Sequence, residues 1–134
     1  MLHVCMPKVF RLSEQYLIRA EARANQDNMG GASKDLSDLR KARFQGGNGA
    51  ISVTKQNWLE IIEEERVREL YMEGFRLQDL KRWHKGFERK PQQQSLANGS
   101  SLKIEADDVR FVWPIPKHEL DSPGSEIQPN ESNK

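Results

Sequence analysis

Glu65, Glu69 and Glu73 recur at a spacing of four, and Arg66 lies among them. On a helix turning about 100° per residue, all four fall in the sector centred on Ile62 that Trp58, Leu59, Leu70 and Met72 also occupy. Charges on an apolar face call for an explanation. Two carboxylates can act as acid and base or nucleophile on a glycosidic bond, but such a pair flanks the sugar from opposite sides, and these are neighbours on one helix. A carboxylate-bridged di-metal site in a bundle uses Glu-x-x-His, and no Glu here has a His three residues on. The reading that remains is an arginine–carboxylate network where helices stack. In it Arg66 can pair with Glu69 or Glu73, and Arg76 or Arg82 can add charge from the next helix.

Other chemistry is sparse. Cys5, His3, His84 and His118 have no zinc-ligand spacing, and a single cysteine forms no internal disulfide. No metal, cofactor, nucleophile–base pair or phosphate loop is expected. Trp58, Trp83 and Trp113 offer flat faces that suit the C–H face of a pyranose. Trp58 and Trp83 sit on apolar stripes and read as core. Trp113 beside Pro114 is more open, and it is the candidate for a ligand or partner contact. The stretch from Lys81 to Lys90 interleaves Lys and Arg with Trp83 and Phe87, a pattern known from nucleic-acid binders. Residues 105–134 are acidic by seven to three, however, and cations also suit a helix C-terminus, so no nucleic-acid partner is expected.

These residues need elements to hold them. Leu12, Tyr16, Leu17, Ala20 and Ala24 predict a helix over 11–26. Asn25 to Gly31 reads as a turn, and Ala32, Leu36 and Leu39 predict a second helix from Ala32 to Arg43. The two form an antiparallel hairpin. Thr54 reads as the N-cap of a third helix over 55–73, with Gly74 at its end. Leu77, Leu80 and Trp83 predict a short fourth helix, Arg76 to Lys85, stopped by Gly86. Val109 to Trp113 reads as a strand or extended segment, which Pro114 and Pro116 prolong. The expected organisation is a lead-in over 1–10, a helical region over 11–86, loop and extended chain over 87–120 and a polar tail over 121–134, on the surface or frayed. The class is mainly α, built of antiparallel helix pairs.

With 134 residues the chain has the length of one domain. The 21 Lys and Arg less 20 Asp and Glu leave +1, which argues against a strongly basic binder. Leu, Ile, Val and Phe number 30, a thin supply for a core. No run of about 18 apolar residues predicts a membrane-spanning helix, and the chain shows no export signal.

Four strings together resemble one family. Arg11-Leu12-Ser13-Glu14-Gln15-Tyr16-Leu17-Ile18-Arg19-Ala20-Glu21-Ala22 is similar to the first, and Ala32 to Arg43, with Asp35-Leu36 and Leu39-Arg40, to the second. The most specific is Glu65-Arg66-Val67-Arg68-Glu69-Leu70 continuing through Glu73-Gly74, Arg76 and Asp79-Leu80 to Arg82-Trp83. Trp113-Pro114-Ile115-Pro116 with Glu119 is the fourth. In this order they resemble the C-terminal portion of SusD/RagB outer-membrane lipoproteins.

The resemblance implies a scaffold like tetratricopeptide repeats, knitted by Glu65, Arg66, Glu69, Glu73, Arg76 and Asp79. It implies binding of oligosaccharides or peptides at the cell surface, without catalysis, for a SusC-type TonB-dependent transporter. Full-length members are several-fold longer, so a missing N-terminal region of the same fold is an implied partner. The competing reading is a free-standing helical adaptor for a peptide or protein.

Overall fold

The computed structural model describes residues 10–46, 49–90 and 102–133. The chain divides into two compact units, Met1–Gly74 and Phe75–Lys134. It is mainly helical, with one two-stranded antiparallel sheet among the described residues.

In the first unit, α1 (Leu12–Asn25) packs against both α2 (Met29–Lys41) and α3 (Trp58–Glu69). Its inner face carries Ser13, Leu17, Ala20, Glu21 and Ala24, spaced as one helical stripe. Leu17 and Ala20 have no exposed surface, and α2 answers them with Ala32, Leu36 and Leu39. The small alanines let the backbones approach. Leu12, expected in the core, is instead exposed, because Ser13 takes the inward position.

The hairpin turn is tighter than expected. Asp27 takes a left-handed φ of 61°. The Asn28 and Asp27 N–H groups then bond back to the Arg23 and Ala24 carbonyls, closing the end of α1. The Asn28 side chain accepts from the Gly31 N–H and starts α2 at Met29, three residues before Ala32.

Two serines on α2 hold the connection that follows. Ser33 Oγ accepts the Val53 N–H at 2.9 Å, and Ser37 Oγ accepts the Ile51 N–H at 3.1 Å. Thr54 does not cap α3 with its hydroxyl. Its N–H donates to Asn57 Oδ1 at 2.7 Å, its carbonyl accepts the Trp58 N–H, and the helix begins at Trp58.

The third helix also stops early, at Glu69 in place of Glu73. Arg11 Nη2 donates to the Glu69 carbonyl at 2.7 Å, satisfying a group that a further turn would use. Beyond it Met72 and Gly74 take left-handed φ values of 65° and 84°, and Met72 leaves the apolar face for solvent.

In the second unit, α4 (Phe75–Arg82) buries Asp79 and Leu80. His84, not Gly86, ends it: at φ 52° it lets the Lys85 and His84 N–H groups reach the Leu80 and Lys81 carbonyls. Gly86 is required by close approach, since a Cβ there would lie 2.1 Å from the Ile104 carbonyl oxygen. That approach belongs to β1 (Phe87–Glu88) and β2 (Lys103–Ile104), which pair antiparallel with Phe87 opposite Ile104.

Val109–Phe111 forms a 3₁₀ turn at the start of the stretch expected to be a strand or extended segment. The Asp108 carboxylate caps it by accepting the Arg110 N–H at 2.9 Å. Extended chain resumes at Val112, and a short α5 (Lys117–Leu120) follows Pro116. The tail lies on this segment. Asn133 Oδ1 accepts from the Ile115 N–H at 3.0 Å, its Nδ2 donates to the Ile115 carbonyl at 2.8 Å, and Asn130 Nδ2 donates to the Trp113 carbonyl at 2.9 Å.

Candidate functional site

Charge gathers at the end of the first unit where α1 begins and α2 and α3 finish. Glu69, on the last turn of α3, is the hub. Arg43 grips its carboxylate bidentately, with Nε 2.9 Å from Oε2 and Nη2 2.6 Å from Oε1. Arg11 Nη1 adds a bond at 3.0 Å to Oε1 and continues to Glu73, with Nη2 2.6 Å from Oε1 and Nε 3.3 Å from Oε2. The Arg43 hydrogen bond is the main reason the Glu69 carboxyl is held down to about 2; burial opposes it, and Ser13 and Arg11 add hydrogen bonds. The arginines on Glu69 and Glu73 therefore come from beside α1 and α2.

The remaining expected residues are placed as follows. Glu65 is buried and accepts from Arg68 Nη1 at 2.6 Å, with Arg40 Nη1 3.9 Å away. Arg66 is buried on the same helix. In the second unit, Asp79 is buried and accepts from Arg82 Nε at 3.0 Å, while Arg76 is exposed. Trp113 is 81% exposed. Trp58 and Trp83 are half-buried, and the Arg82 guanidinium lies 4.3 Å from the Trp83 ring centre.

A second cluster escaped the sequence reading. Asp35 on α2 is 1% exposed. Arg19 Nη2 lies 2.7 Å from its Oδ1, Arg19 Nε 3.1 Å from its Oδ2, and Arg23 Nη1 2.7 Å from the same Oδ2. Both arginines come from α1, so this cluster staples the hairpin. The signal was present: Asp35 falls on the Ala32–Leu36–Leu39 stripe, just as Glu69 falls on that of α3.

Beside the Glu69 cluster lies an open cleft of about 410 Å³ lined by Arg11, Leu12, Ser13, Tyr16, Asp38, Leu39, Ala42 and Arg43. Its lining mixes apolar Leu12, Leu39 and Ala42 with charged side chains, and its guanidiniums are already engaged with Glu69 and Glu73. Among the described residues, no three of His, Cys, Asp and Glu are grouped to hold a metal ion, and no helix is long and apolar enough to cross a membrane. The chemistry that the arrangement supports is packing and docking: Glu69 and Glu73 are held by arginines, and Asp38 by Lys34.

Comparison with known proteins agrees with the motifs. The model of the SusD family matches residues 6–131. The starch-binding protein SusD of Bacteroides thetaiotaomicron is 44% identical over 75 residues, which are 56% of this chain and 12% of that protein. No solved structure matches. A family match over nearly the whole length, joined to a mainly helical fold, places the chain in the SusD family.

Proposed function

We propose that this chain is the C-terminal scaffold part of a SusD-like lipoprotein that binds glycans or peptides at the cell surface. The assembled protein sits at the outer membrane and passes its ligand to a SusC-like TonB-dependent transporter. The observation that carries the reading is the family match over residues 6–131 in a chain whose Asp35, Glu65 and Glu69 are held by arginines. Glu65, Arg66, Glu69, Glu73, Arg76 and Asp79 then serve architecture, and the role is binding without catalysis. Trp113 is the residue of this chain we assign to ligand or partner contact: it is exposed, and the tail pins its backbone.

Isothermal titration with neutral and acidic oligosaccharides tests the scaffold assignment. Weak or absent binding is expected, and micromolar affinity for the isolated chain overturns it. A lipoprotein signal and further family sequence in the same reading frame upstream, with a transporter gene adjacent, are the expected genomic setting.

The cleft between α1 and α2 favours a second reading, a free-standing helical adaptor with a peptide in that groove. Thermal melting separates the two. A monodisperse, cooperatively melting monomer favours the adaptor, and partial order or aggregation favours the scaffold.

A further inference from the structure

Trp113 to Pro116 is extended chain, entered from Val112 at φ −108° and ψ 127° and left through Pro116 at φ −56° and ψ 136°. In extended backbone the N–H and C=O groups of alternate residues face the same edge. Trp113 and Ile115 therefore share one edge, and Pro114 and Pro116 share the other. The prolines leave their edge without donors, so only the first edge offers both donor and acceptor to another chain. No strand pairs with it among the described residues. Two side chains of the 125–133 segment stand in for one. The Asn133 amide accepts the Ile115 N–H at 3.0 Å and donates to the Ile115 carbonyl at 2.8 Å, and the Asn130 amide donates to the Trp113 carbonyl at 2.9 Å. These are the three bonds that two alternate residues of an antiparallel strand would make.

The hold is light. Ile127 is the one large apolar residue between 125 and 133, and it is half exposed. Beside the edge, Val112 and Trp113 are exposed and offer an apolar flank to an incoming side chain. We infer that this edge is a docking site for an extended peptide, and that Asn130 and Asn133 occupy it as an autoinhibitory strap. A side-chain amide has the chemistry of a peptide amide, so what replaces it is a polypeptide backbone paired edge to edge. The inference deepens the reading of Trp113 as a contact residue by naming its partner, and it rests on that reading for the flank alone.

The probe is a capped peptide of alternating valine and threonine with a lysine at each end, titrated by calorimetry into the full chain. The parent should bind it weakly, because the strap competes. Asn133→Ala removes two of the three bonds and should tighten binding at least about tenfold. Asn133→Asp keeps the acceptor, loses the donor and should fall between the two. The same peptide N-methylated throughout should not bind. Trp113→Ala, added to Asn133→Ala, should weaken binding about fivefold. Amide exchange locates the peptide: the Ile115 N–H should be protected in the parent, exchange faster in Asn133→Ala and regain protection when the peptide is bound. Circular dichroism of each free variant checks that the helices persist. Equal affinity of the parent and Asn133→Ala, no binding to either, or binding that leaves the Ile115 N–H unprotected overturns the site. A parent dimer in light scattering that Asn133→Ala dissociates makes a second copy's segment the occupant, and that also overturns it. If the peptide binds Asn133→Ala and protects Ile115 while Trp113→Ala changes nothing, the edge stands and the contact role of Trp113 falls.

Discussion

Asp35 and Glu69 are both carboxylates gripped by two arginines, yet they are built differently. Asp35 draws Arg19 and Arg23 from 16 and 12 residues away, across one short turn. Glu69 draws Arg11 and Arg43 from 58 and 26 residues away. Asp35 is sealed inside the α1–α2 hairpin, whereas Glu69 sits at an end ringed by exposed Leu12, Tyr71 and Met72. The first cluster is complete within its supersecondary unit. The second gathers three chain segments and leaves an apolar rim around them. Similar chemistry thus does local work in one place and long-range work in the other.

Removing the sealed carboxylate should cost the most. Asp35→Ala leaves two guanidiniums converging on an apolar stripe, and the expected loss is about 2–4 kcal/mol in chemical denaturation. Asp35→Leu should recover part of that loss, since an apolar residue of similar volume suits the Ala32–Leu36–Leu39 face. If Asp35→Ala is neutral, the arginines turn to solvent freely and the cluster is no staple.

Glu69 should matter less at neutral pH and leave a clearer acid signature. Arg43, chiefly, holds its carboxyl at about 2 against an ordinary 4.5, so the folded state favours the ionised form. The resulting stability is fully present above about pH 4.5 and is lost as pH falls toward about 2. Arg11 and Arg43 are partly solvated, and screening reduces the contribution to about 1–2 kcal/mol. Glu69→Gln should lower stability by that amount at pH 7 and flatten the decline between pH 4.5 and 2. An unchanged acid profile would show that Glu69 is not linked to folding. Arg43→Lys, which loses the bidentate grip, should fall between the parent and Glu69→Gln.

The contrast between the clusters also separates what is readable in the chain from what is not. The inner stripes of α1 and α2 and the inward placement of Glu65 and Glu69 follow from helical spacing. Asp35 was equally readable and shows that the spacing test must be run on every helix. The partners of Glu69 were not readable. Arg11 lies 58 residues away, and its approach is set by how α1 packs on α3. The same approach shortens α3, because Arg11 takes the Glu69 carbonyl. His84 and Met72 at positive φ defeat a glycine-based search for helix ends. At Val109, apolar composition pointed to a strand or extended chain, but the Asp108 cap turns the first three residues into a 3₁₀ turn.

The smallest expected effect comes from a very short contact. Lys34 Nζ lies 2.5 Å from Asp38 Oδ2, closer than any atom pair on Asp35. It lies one turn along the exposed face of α2, and Lys34 holds the Asp38 carboxyl below its ordinary value mainly through that hydrogen bond. Water competes for both groups, and ordering two side chains offsets what their attraction contributes. Lys34→Ala should therefore leave the melting midpoint within about 1 °C of the parent, and 0.5 M salt should erase even that difference. A shift as large as that of Asp35→Ala would mean that contact distance outranks burial in this hairpin. The comparison between the two clusters would then have to be redrawn on distance alone.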